Sequence, residues 1–368
     1  IVFAGALVPD KGLDVLLHAM PLVRALVPAA ELVVCGAASL WARAPFFDPE
    51  AVRRELPYVS FHGALPQAAV AAELAGAALA VVPTPPARWR EAFGMAASEA
   101  QACGTPVVVV RNGGLPETVR AGETGWIVEE ATPAALAAAI VGALRDPVRL
   151  DAMGRAAAAW ARTRFSWTRN AETWEALAAG PVGVRAGAAD GTRPAVALVT
   201  TWRQPCGLAR YAEALVAAYP AGSVRVLAER GAPQVDGPAP DVPVERVWER
   251  GAALDDLVAA VERAGVDLVH VNHHGGLFGA RLSPALAALA ARGVRSVVTM
   301  HAPNQIDPEI AALGRVAEAI LVHSDGARLE VIANGVAPGV VRVMPSGMRP
   351  VATHDAAGTR RSLGLTPG

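Results

Sequence analysis

Short apolar runs alternate along the chain with segments whose apolar residues recur at helical spacing. The run Pro106–Val110, four valines after a proline, is typical of a strand covered on both faces. Lys11–Val27 instead carries leucines three and four positions apart, which predicts an amphipathic helix. Strands separated by single helices form parallel sheets with helices on both faces. The pattern therefore predicts an α/β protein.

The alternation stops once, in a glycine-rich stretch without an apolar period, and then starts again. We interpret this stretch as a linker and predict two Rossmann-like, doubly wound parallel-sheet domains. The predicted parts are a first domain at residues 1–178, a linker at 179–194, a second domain at 195–350 and a tail at 351–368. A length of 368 residues suits two such domains better than one core.

Composition narrows the classes of function. The chain is 53% hydrophobic and 18% charged, as expected for a compact globular protein. A formal net charge of −1 provides no basic field that would attract nucleic acid. No apolar run reaches the roughly 18–20 residues that a membrane-spanning helix needs. The three cysteines show neither metal-ligand spacing nor a disulfide framework, so we expect a cytoplasmic protein.

Lysine occurs once, at Lys11, whereas the other 32 of the 33 basic residues are arginines. The loop Gly5–Gly12 follows the first predicted strand and places Lys11 at the start of a helix. An ammonium group beside the amides of a helix N-terminus can hold a diphosphate. A solvated lysine on a first turn is the alternative. The use of arginine everywhere else favours a site that needs a compact point charge.

Two carboxylates, Glu91 and Glu99, flank a glycine that opens the predicted helix Phe93–Cys103. The amides at this helix start could hold anionic oxygen, and the glycine would let a ligand approach the backbone closely. These amides belong to Phe93, Gly94 and Met95. Carboxylates accept hydrogen bonds from sugar and ribose hydroxyls. The alternative is a helix-dipole partner at Glu91 and an exposed helix charge at Glu99.

With these motifs, residues 1–178 resemble the C-terminal, donor-binding domain of retaining GT-B glycosyltransferases of the family-4 type. Three further segments carry the resemblance: Cys103–Val108, Gly113–Glu117 and Gly122–Gly125. The resemblance implies that Lys11 binds the donor diphosphate, Glu91 holds the transferred sugar and Glu99 holds the ribose. It also implies that the amides at 93–95 and the loop at Gly5 contact the donor. The family often has an arginine where this chain has Ala6, which weakens the expectation of activity.

The second half resembles the N-terminal domain of the same superfamily. Its first strand is followed by the loop Thr200–Tyr211, in which Gly207 would start a helix and let the donor approach closely. Relatives place a histidine at the position of His301 against the transferred sugar, and we predict His301 as a catalytic residue. A histidine that caps the backbone is the alternative. His273 and His274 are adjacent and would point in opposite directions, which disfavours a shared metal site.

The resemblance implies a metal-independent retaining glycosyltransferase that needs no cofactor and uses a nucleoside-diphosphate sugar as co-substrate. A carbohydrate or glycolipid would be the acceptor, and peripheral membrane contact is left open. The main alternative is a non-catalytic, nucleotide-sugar-binding fragment of a tandem glycosyltransferase. Another GT-B enzyme, an epimerase or a phosphorylase, is a third candidate. A phosphorylase is disfavoured because no lysine lies late in the chain to hold its cofactor.

In the family the acceptor domain precedes the donor domain, and here the order is reversed. Two explanations are a window cut from a tandem glycosyltransferase and a circular permutation in which Arg360–Gly368 would lead into Ile1–Gly5. Because the chain begins at Ile1 inside a predicted strand, the tandem fragment is favoured. In that case the two halves would belong to different active sites.

Overall fold

The computed structural model describes residues 1–37, 48–170, 196–204, 206–232, 234–235, 240–303 and 307–348. Contacts divide the chain into two compact units. Unit 1 comprises Ile1–Ser166 and the C-terminal segment that begins at Met348, and unit 2 comprises Trp167–Gly347. The predicted linker at 179–194 and tail at 351–368 lie outside the described residues.

Unit 1 contains a six-stranded sheet in which all described pairings are parallel. Its strands are β1 Val2–Ala4, β2 Leu32–Cys35, β3 Val59–Gly63, β4 Ala80–Val82, β5 Val107–Val110 and β6 Gly125–Val128. Its helices are α1 Leu13–Leu26, α2 Pro49–Glu55, α3 Gln67–Gly76, α4 Met95–Ala102, α5 Pro133–Leu144 and α6 Pro147–Arg164, with 3-10 turns at Pro9–Lys11 and Leu115–Thr118. The order β3-β2-β1-β4-β5-β6 places the switch point of the sheet between β1 and β4.

Several helices of unit 1 begin where the sequence supplies a cap followed by proline. The carboxylate of Asp48 accepts from the amide of Glu50 at 3.0 Å, and that of Asp146 accepts from Arg149 at 2.9 Å. The hydroxyl of Thr132 accepts from Ala135 at 3.2 Å. A side-chain oxygen at this position satisfies an amide that has no partner inside the helix. Polar residues before α2, α5 and α6 therefore determine where these helices start.

The valines of β5 pack on both faces of the sheet. All four are fully buried. Val108 and Val110 lie in a core cluster with residues of α1 and α5, and Val107 and Val109 lie in another with residues of α3 and α4. A central strand covered on both sides needs an uninterrupted apolar run, as this sequence has.

Unit 2 contains a seven-stranded sheet, again with all described pairings parallel. Its strands are β7 Val196–Thr200, β8 Val224–Glu229, β9 Val244–Trp248, β10 Leu268–His273, β11 Arg295–Met300, β12 Ala319–Val322 and β13 Val341–Val343. Its helices are α7 Gly207–Ala218, α8 Asp255–Ala264, α9 Gly275–Phe278, α10 Leu282–Ala290, α11 Pro308–Val316 and α12 Asp325–Ala333, with a 3-10 turn at Gly279–Arg281. The order β13-β12-β11-β10-β7-β8-β9 places its switch point between β7 and β10.

The predicted fold class is confirmed in each unit, and the elements differ from the prediction at two informative places. Gly12 has a φ of 70° and separates the turn at Pro9–Lys11 from α1, so the predicted helix Lys11–Val27 is two elements. Gly94 has a φ of 103°, and α4 begins after it at Met95 instead of at Phe93. In both cases a glycine in the left-handed region stops a helix from extending towards its N-terminus. Within the described residues, no helix is long and apolar enough to cross a membrane.

Candidate functional site

Lys11 lies at the carboxyl edge of the unit 1 sheet, in the loop that follows β1. A 3-10 turn at Pro9–Lys11 carries it, and Gly12 follows. A Cβ atom on Gly12 would stand 2.4 Å from the carbonyl oxygen of Pro83, which follows β4. Only glycine allows this approach, so Gly12 holds the lysine loop against the loop after β4.

Lys11 and Glu91 form an ion pair. The ammonium nitrogen of Lys11 is 2.5 Å from Oε1 of Glu91, and the two side chains are 30% and 13% exposed. The hydroxyl of Thr84 donates to the same oxygen at 3.0 Å. The ammonium also lies 5.9 Å from the centre of the Trp89 ring. Because β1 and β4 meet at the switch point, the loops after them bring these groups together from sequence positions 80 apart.

The loop that carries Glu91 is supported by Asn112 and by the glycine pair after it. The amide nitrogen of Asn112 donates to the carbonyls of Thr84 at 3.0 Å and Trp89 at 2.8 Å. The backbone of Gly114 donates to the carbonyl of Glu91 at 2.7 Å. A Cβ atom on Gly113, whose φ is 50°, would stand 1.9 Å from that carbonyl. The Glu91 backbone therefore has little freedom to move.

A second pair ties the two loops together at the surface. Both guanidinium nitrogens Nη1 and Nη2 of Arg88 lie 2.8 Å from the carboxylate oxygens of Asp14. Nη1 also donates to the carbonyl of Pro9 at 3.0 Å. Asp14 lies in the first turn of α1, so Arg88 connects the Glu91 loop to the elements on both sides of Lys11. A planar guanidinium suits such a two-pronged contact.

The start of α4 follows Glu91 closely in the sequence, and its side chains differ in how deeply they are buried. The side chain of Phe93 is buried, with its ring 5.3 Å from that of Phe165 in an edge-on arrangement. Met95 is 38% exposed. Glu99 is partly buried on α4. Phe93 thus fixes this segment in the core, and only its backbone could serve a ligand.

Gly5 follows β1 directly and bonds to the neighbouring loop. Its amide donates to the carbonyl of Cys35 at 3.0 Å. A Cβ atom on Gly36 would stand 1.8 Å from the carbonyl of Gly5. The chain after β1 therefore passes very close to the chain after β2, and this contact fixes the path that leads to Lys11.

In unit 2, Gly207 is the first residue of α7, and a Cβ atom on it would meet no described atom within 4 Å. The loop before it contains Arg203, whose φ is 54°, the only positive φ at a described residue other than glycine. Its Nε donates to the carbonyl of Val235 at 3.1 Å. Such a backbone conformation is costly for a non-glycine residue and persists where surrounding contacts hold it.

His301 follows β11 and contacts His323, which follows β12. Nδ1 of His301 is 3.2 Å from Nε2 of His323, and Nδ1 of His323 is 3.0 Å from the carbonyl of Met344. The ring of Tyr211, on α7, stands edge-on to His301 with centres 4.7 Å apart. Burial, followed by the charges of other histidines with His323 first, holds the pKa of His301 well below its ordinary value. His301 is therefore neutral at neutral pH, and within the described residues its ring bonds to His323 and to no backbone group.

The other histidines of unit 2 make structural contacts. His270 is fully buried between the hydroxyls of Thr299 at 2.7 Å and Tyr219 at 3.2 Å, and burial lowers its pKa to about 3. Burial also lowers the pKa of His273 to about 4. Nδ1 of His274 accepts from the amide of Gly276 at 3.4 Å, at the start of α9. Among the described residues, no group of three or more His, Cys, Asp and Glu side chains is placed to hold a metal ion.

A charged cluster lies at the carboxyl edge of the unit 2 sheet. Glu229, at the end of β8, is buried, and its Oε1 is 2.5 Å from Nε of Arg250. The amide of Gln204 donates to its other oxygen at 2.8 Å. With these bonds the buried carboxylate has both a counter-charge and hydrogen bonds, as stability requires.

The structure thus brings Lys11 together with Glu91 in unit 1, and it places His301 beside α7, the helix that Gly207 starts, in unit 2. Sequence reasoning did not select Thr84, Asn112, Arg88 or His323 as site residues. Asn112 stands immediately before the segment Gly113–Glu117, which carries the family resemblance, so its position is a usable signal. The contact between His323 and His301 depends on which strands are neighbours, and no local pattern reports that.

Residues 1–160 match the model of the family described as Glycosyl transferases group 1. A D-inositol 3-phosphate glycosyltransferase of Segniliparus rotundus is 39% identical over 174 residues, which are 47% of this chain and 38% of that protein. A GDP-mannose-dependent alpha-(1-6)-phosphatidylinositol monomannoside mannosyltransferase of Mycolicibacterium smegmatis is 36% identical over 185 residues, which are 48% of this chain and 47% of that protein. The chain therefore spans less than half of the length of these relatives.

Among solved structures, Anabaena HepE in complex with UDP is similar, with a TM-score of 0.42 and 24% identity over 48% of each chain. Sucrose-phosphate synthase from Thermosynechococcus elongatus has a TM-score of 0.42 and 28% identity, over 50% of this chain and 45% of that one.

Proposed function

From the match of residues 1–160 to the Glycosyl transferases group 1 family, we propose that the chain is a retaining, metal-independent glycosyltransferase. It transfers a sugar from a nucleoside-diphosphate sugar to a hydroxyl-bearing acceptor. The observation that carries the proposal is the ion pair of Lys11 and Glu91 at the switch point of the unit 1 sheet. Ligands of doubly wound sheets bind at that place.

The leaving diphosphate gains negative charge as the glycosidic bond breaks. The ammonium of Lys11 and the backbone amides at the start of α4 supply positive charge there, in the role that a bound cation has in other enzymes. Glu91 accepts hydrogen bonds from hydroxyls of the transferred sugar, and Glu99 accepts them from the ribose. In unit 2, His301 is the residue proposed to contact a sugar hydroxyl. The acceptor attacks from the donor face, so the configuration at the sugar carbon is retained.

The ion pair of Lys11 and Glu91 has a consequence for donor binding. Glu91 shares one oxygen between Lys11 and Thr84, so both groups that would meet the donor are already oriented. A diphosphate that binds Lys11 competes with a carboxylate 2.5 Å away. Sugar hydroxyls then satisfy the oxygen that Lys11 releases. This exchange predicts that the sugar contributes to affinity mainly through Glu91.

The test compares UDP, GDP and ADP with UDP-glucose and GDP-mannose by titration calorimetry, on the whole chain and on Glu91→Gln. One nucleotide should bind the parent, and its sugar conjugate should bind more tightly. In Glu91→Gln the sugar conjugate should lose this advantage, and the nucleotide itself should bind at least as well because Lys11 is released. Glu50→Gln, at an exposed carboxylate of α2 that pairs with Arg53, is the matched control and should behave as the parent.

Failure of every nucleotide to bind would overturn the proposal. A sugar advantage that persists in Glu91→Gln would remove Glu91 from the sugar site. Release of nucleoside diphosphate from the bound donor, followed with a carbohydrate acceptor panel, separates the enzyme from its alternative. A non-catalytic nucleotide-sugar-binding fragment would bind the donor without releasing nucleoside diphosphate. The feature that favours this alternative is Ala6, which stands where the family often has an arginine.

A further inference from the structure

His301, His323 and the backbone of Met344 form a chain of hydrogen bonds across three strand ends. Thr299 of β11 is in register with Leu321 of β12, so the residues two positions later, His301 and His323, fall on the same side of the sheet. The segment after β13 closes the chain, because the amide of Met344 donates to the carbonyl of Val322 at 2.7 Å.

The acceptor at one end of this chain fixes the protons along it. A carbonyl can only accept, so Nδ1 of His323, 3.0 Å from the carbonyl of Met344, carries a proton. Neutral His323 then has a lone pair on Nε2, and Nδ1 of His301, 3.2 Å away, must donate to it. Neutral His301 therefore carries its own lone pair on Nε2.

Both rings are held neutral by their surroundings. Burial lowers the pKa of His323, while its bond to Met344 acts in the opposite direction. For His301, burial acts first, and the charges that act on it come from His323 and from three histidines that lie on β10 or directly after it: His274, His270 and His273. Tyr211 of α7 packs against both rings, with centres 4.7 Å and 5.4 Å away.

The lone pair on His301 has no partner within the part of the chain that the structure describes. Its Nε2 is shut off from solvent and accepts no hydrogen bond there. A buried acceptor without a partner is destabilising, so this nitrogen favours any hydrogen-bond donor that reaches it. A carbohydrate hydroxyl can rotate so that it donates a hydrogen bond to this nitrogen.

We propose that His323 is a positioning residue, which holds His301 in the tautomer whose Nε2 accepts a hydrogen bond from a substrate hydroxyl. The identity of that hydroxyl as part of a carbohydrate rests on the proposed glycosyltransferase function. The tautomer itself rests only on the chain from Met344 to His301.

The first experiment measures the tautomers directly in the whole chain. With ¹⁵N- and ¹³C-labelled histidine, long-range nitrogen–proton NMR spectra at pH 7.5 distinguish protonated from unprotonated ring nitrogens. Both His301 and His323 should be protonated on Nδ1 and unprotonated on Nε2. A proton on Nε2 of His301 in the parent protein would overturn the proposal, whatever any variant does.

The second experiment removes the relay. His323→Phe keeps an aromatic ring beside Tyr211 and deletes both hydrogen bonds, so His301 should populate the other tautomer. His18→Gln, on the surface of unit 1, is the control and should leave the His301 signals unchanged. The His270 signals report whether unit 2 remains folded in His323→Phe. A His301 tautomer that stays on Nδ1 in folded His323→Phe would contradict a positioning role.

Kinetic measurements on His323→Phe distinguish the positioning role of His323 from the proposed glycosyltransferase function. In the transfer assay His323→Phe should lower kcat by about tenfold, as expected for one misplaced hydrogen bond, and leave nucleotide affinity unchanged. An equal loss of nucleotide affinity would point to a general structural defect and against positioning. If the chain transfers no sugar at all, the proposed function fails, and the NMR tautomers still decide the role of His323.

Discussion

The two sheets share a strand order around their switch points, but the candidate sites at their carboxyl edges are built from different chemical groups. In unit 1, Lys11 and Glu91 form an ion pair at a partly exposed position. Beside β11 and β12 in unit 2, the rings of His301 and His323 stay neutral because they are buried. The same strand order thus carries a charged ion pair in unit 1 and a buried, neutral pair of histidines in unit 2.

The two candidate sites should therefore respond differently to loss of a partner and to uptake of a proton. A charged pair in partial contact with water depends on both partners but tolerates changes in distant packing. A neutral histidine relay depends on exclusion of water, and a proton taken up by any member disrupts it.

Acid should destabilise unit 2 before unit 1. Five histidines of unit 2 have folded pKa values below the ordinary 6.5, and those of His270 and His273 are about 3 and 4. Their neutral forms stabilise the fold fully above pH 6.5. Below it the unfolded chain takes up protons that the folded chain refuses. For His270 and His273, stability falls by about 1.4 kcal/mol per pH unit for each group until the pH reaches the folded pKa.

Hydrogen exchange measured by mass spectrometry at pH 7.5, 6 and 5 reads the two units separately. Peptides of β10 and β11 should lose protection first as the pH falls. Equal loss of protection in the β1 and β5 peptides of unit 1 would contradict this prediction. His18→Gln, outside unit 2, should leave the pH dependence unaltered.

Removal of the ammonium should abolish most of the proposed transfer activity. Lys11→Ala removes the cation that would stabilise the leaving diphosphate, and such a donor is worth about 3–4 kcal/mol of barrier. Turnover should fall by about two to three orders of magnitude, with the circular dichroism spectrum and melting temperature retained. Arg155→Ala removes an exposed cation that pairs with Asp151 on α6, and its turnover should equal that of the parent. Parent-like turnover in Lys11→Ala would exclude Lys11 from the chemistry.

The start of α4 should depend on glycine at one position. In Gly94→Ala the φ of 103° becomes strained, and the new Cβ atom would stand 2.4 Å from Cδ2 of Leu115. We expect unit 1 to lose about 1–3 kcal/mol in its free energy of unfolding by urea. Gly142→Ala, on the exposed side of α5 where nothing lies within 4 Å, should instead gain about 0.5–1 kcal/mol. The same sign for both variants would contradict the role given to Gly94.

Loss of the Thr84 hydroxyl should have the smallest effect. Thr84→Val keeps the shape and removes the hydrogen bond to Glu91, worth about 0.5–1.5 kcal/mol, so turnover should fall by about two- to tenfold. Thr105→Val removes a buried bond to the carbonyl of Leu74 and should lower stability without changing turnover. Unchanged turnover in Thr84→Val would show that Lys11 alone orients Glu91.

Much of the fold could be predicted because its signals are local. Apolar period, helix caps and the four valines of β5 each report on neighbouring residues, and the α/β class follows from their alternation. Helix starts were less accurate at Gly12 and Gly94, because a glycine looks the same in sequence whether its φ is positive or negative. The short helix α9 was missed because four residues are too few to show a helical period.

The residues of the candidate site also divide into those that local sequence patterns identify and those that they do not. Lys11, Glu91 and Gly94 were selected from spacing and from the single lysine, and the structure joins Lys11 to Glu91. Asn112 and Thr84, which hold the Glu91 loop, were not selected, since asparagine and threonine are common in loops and carry no distinctive spacing.

The alternation of strands and helices can be predicted from the amino-acid sequence, because it depends on contacts between near neighbours in the chain. Which strand ends lie side by side is visible only in the folded chain, and so are the contacts of Lys11 with Glu91 and of His301 with His323. Strand order and register arise from the packing of whole sheets, and a single histidine becomes a neutral acceptor only when that packing excludes water and sets its proton.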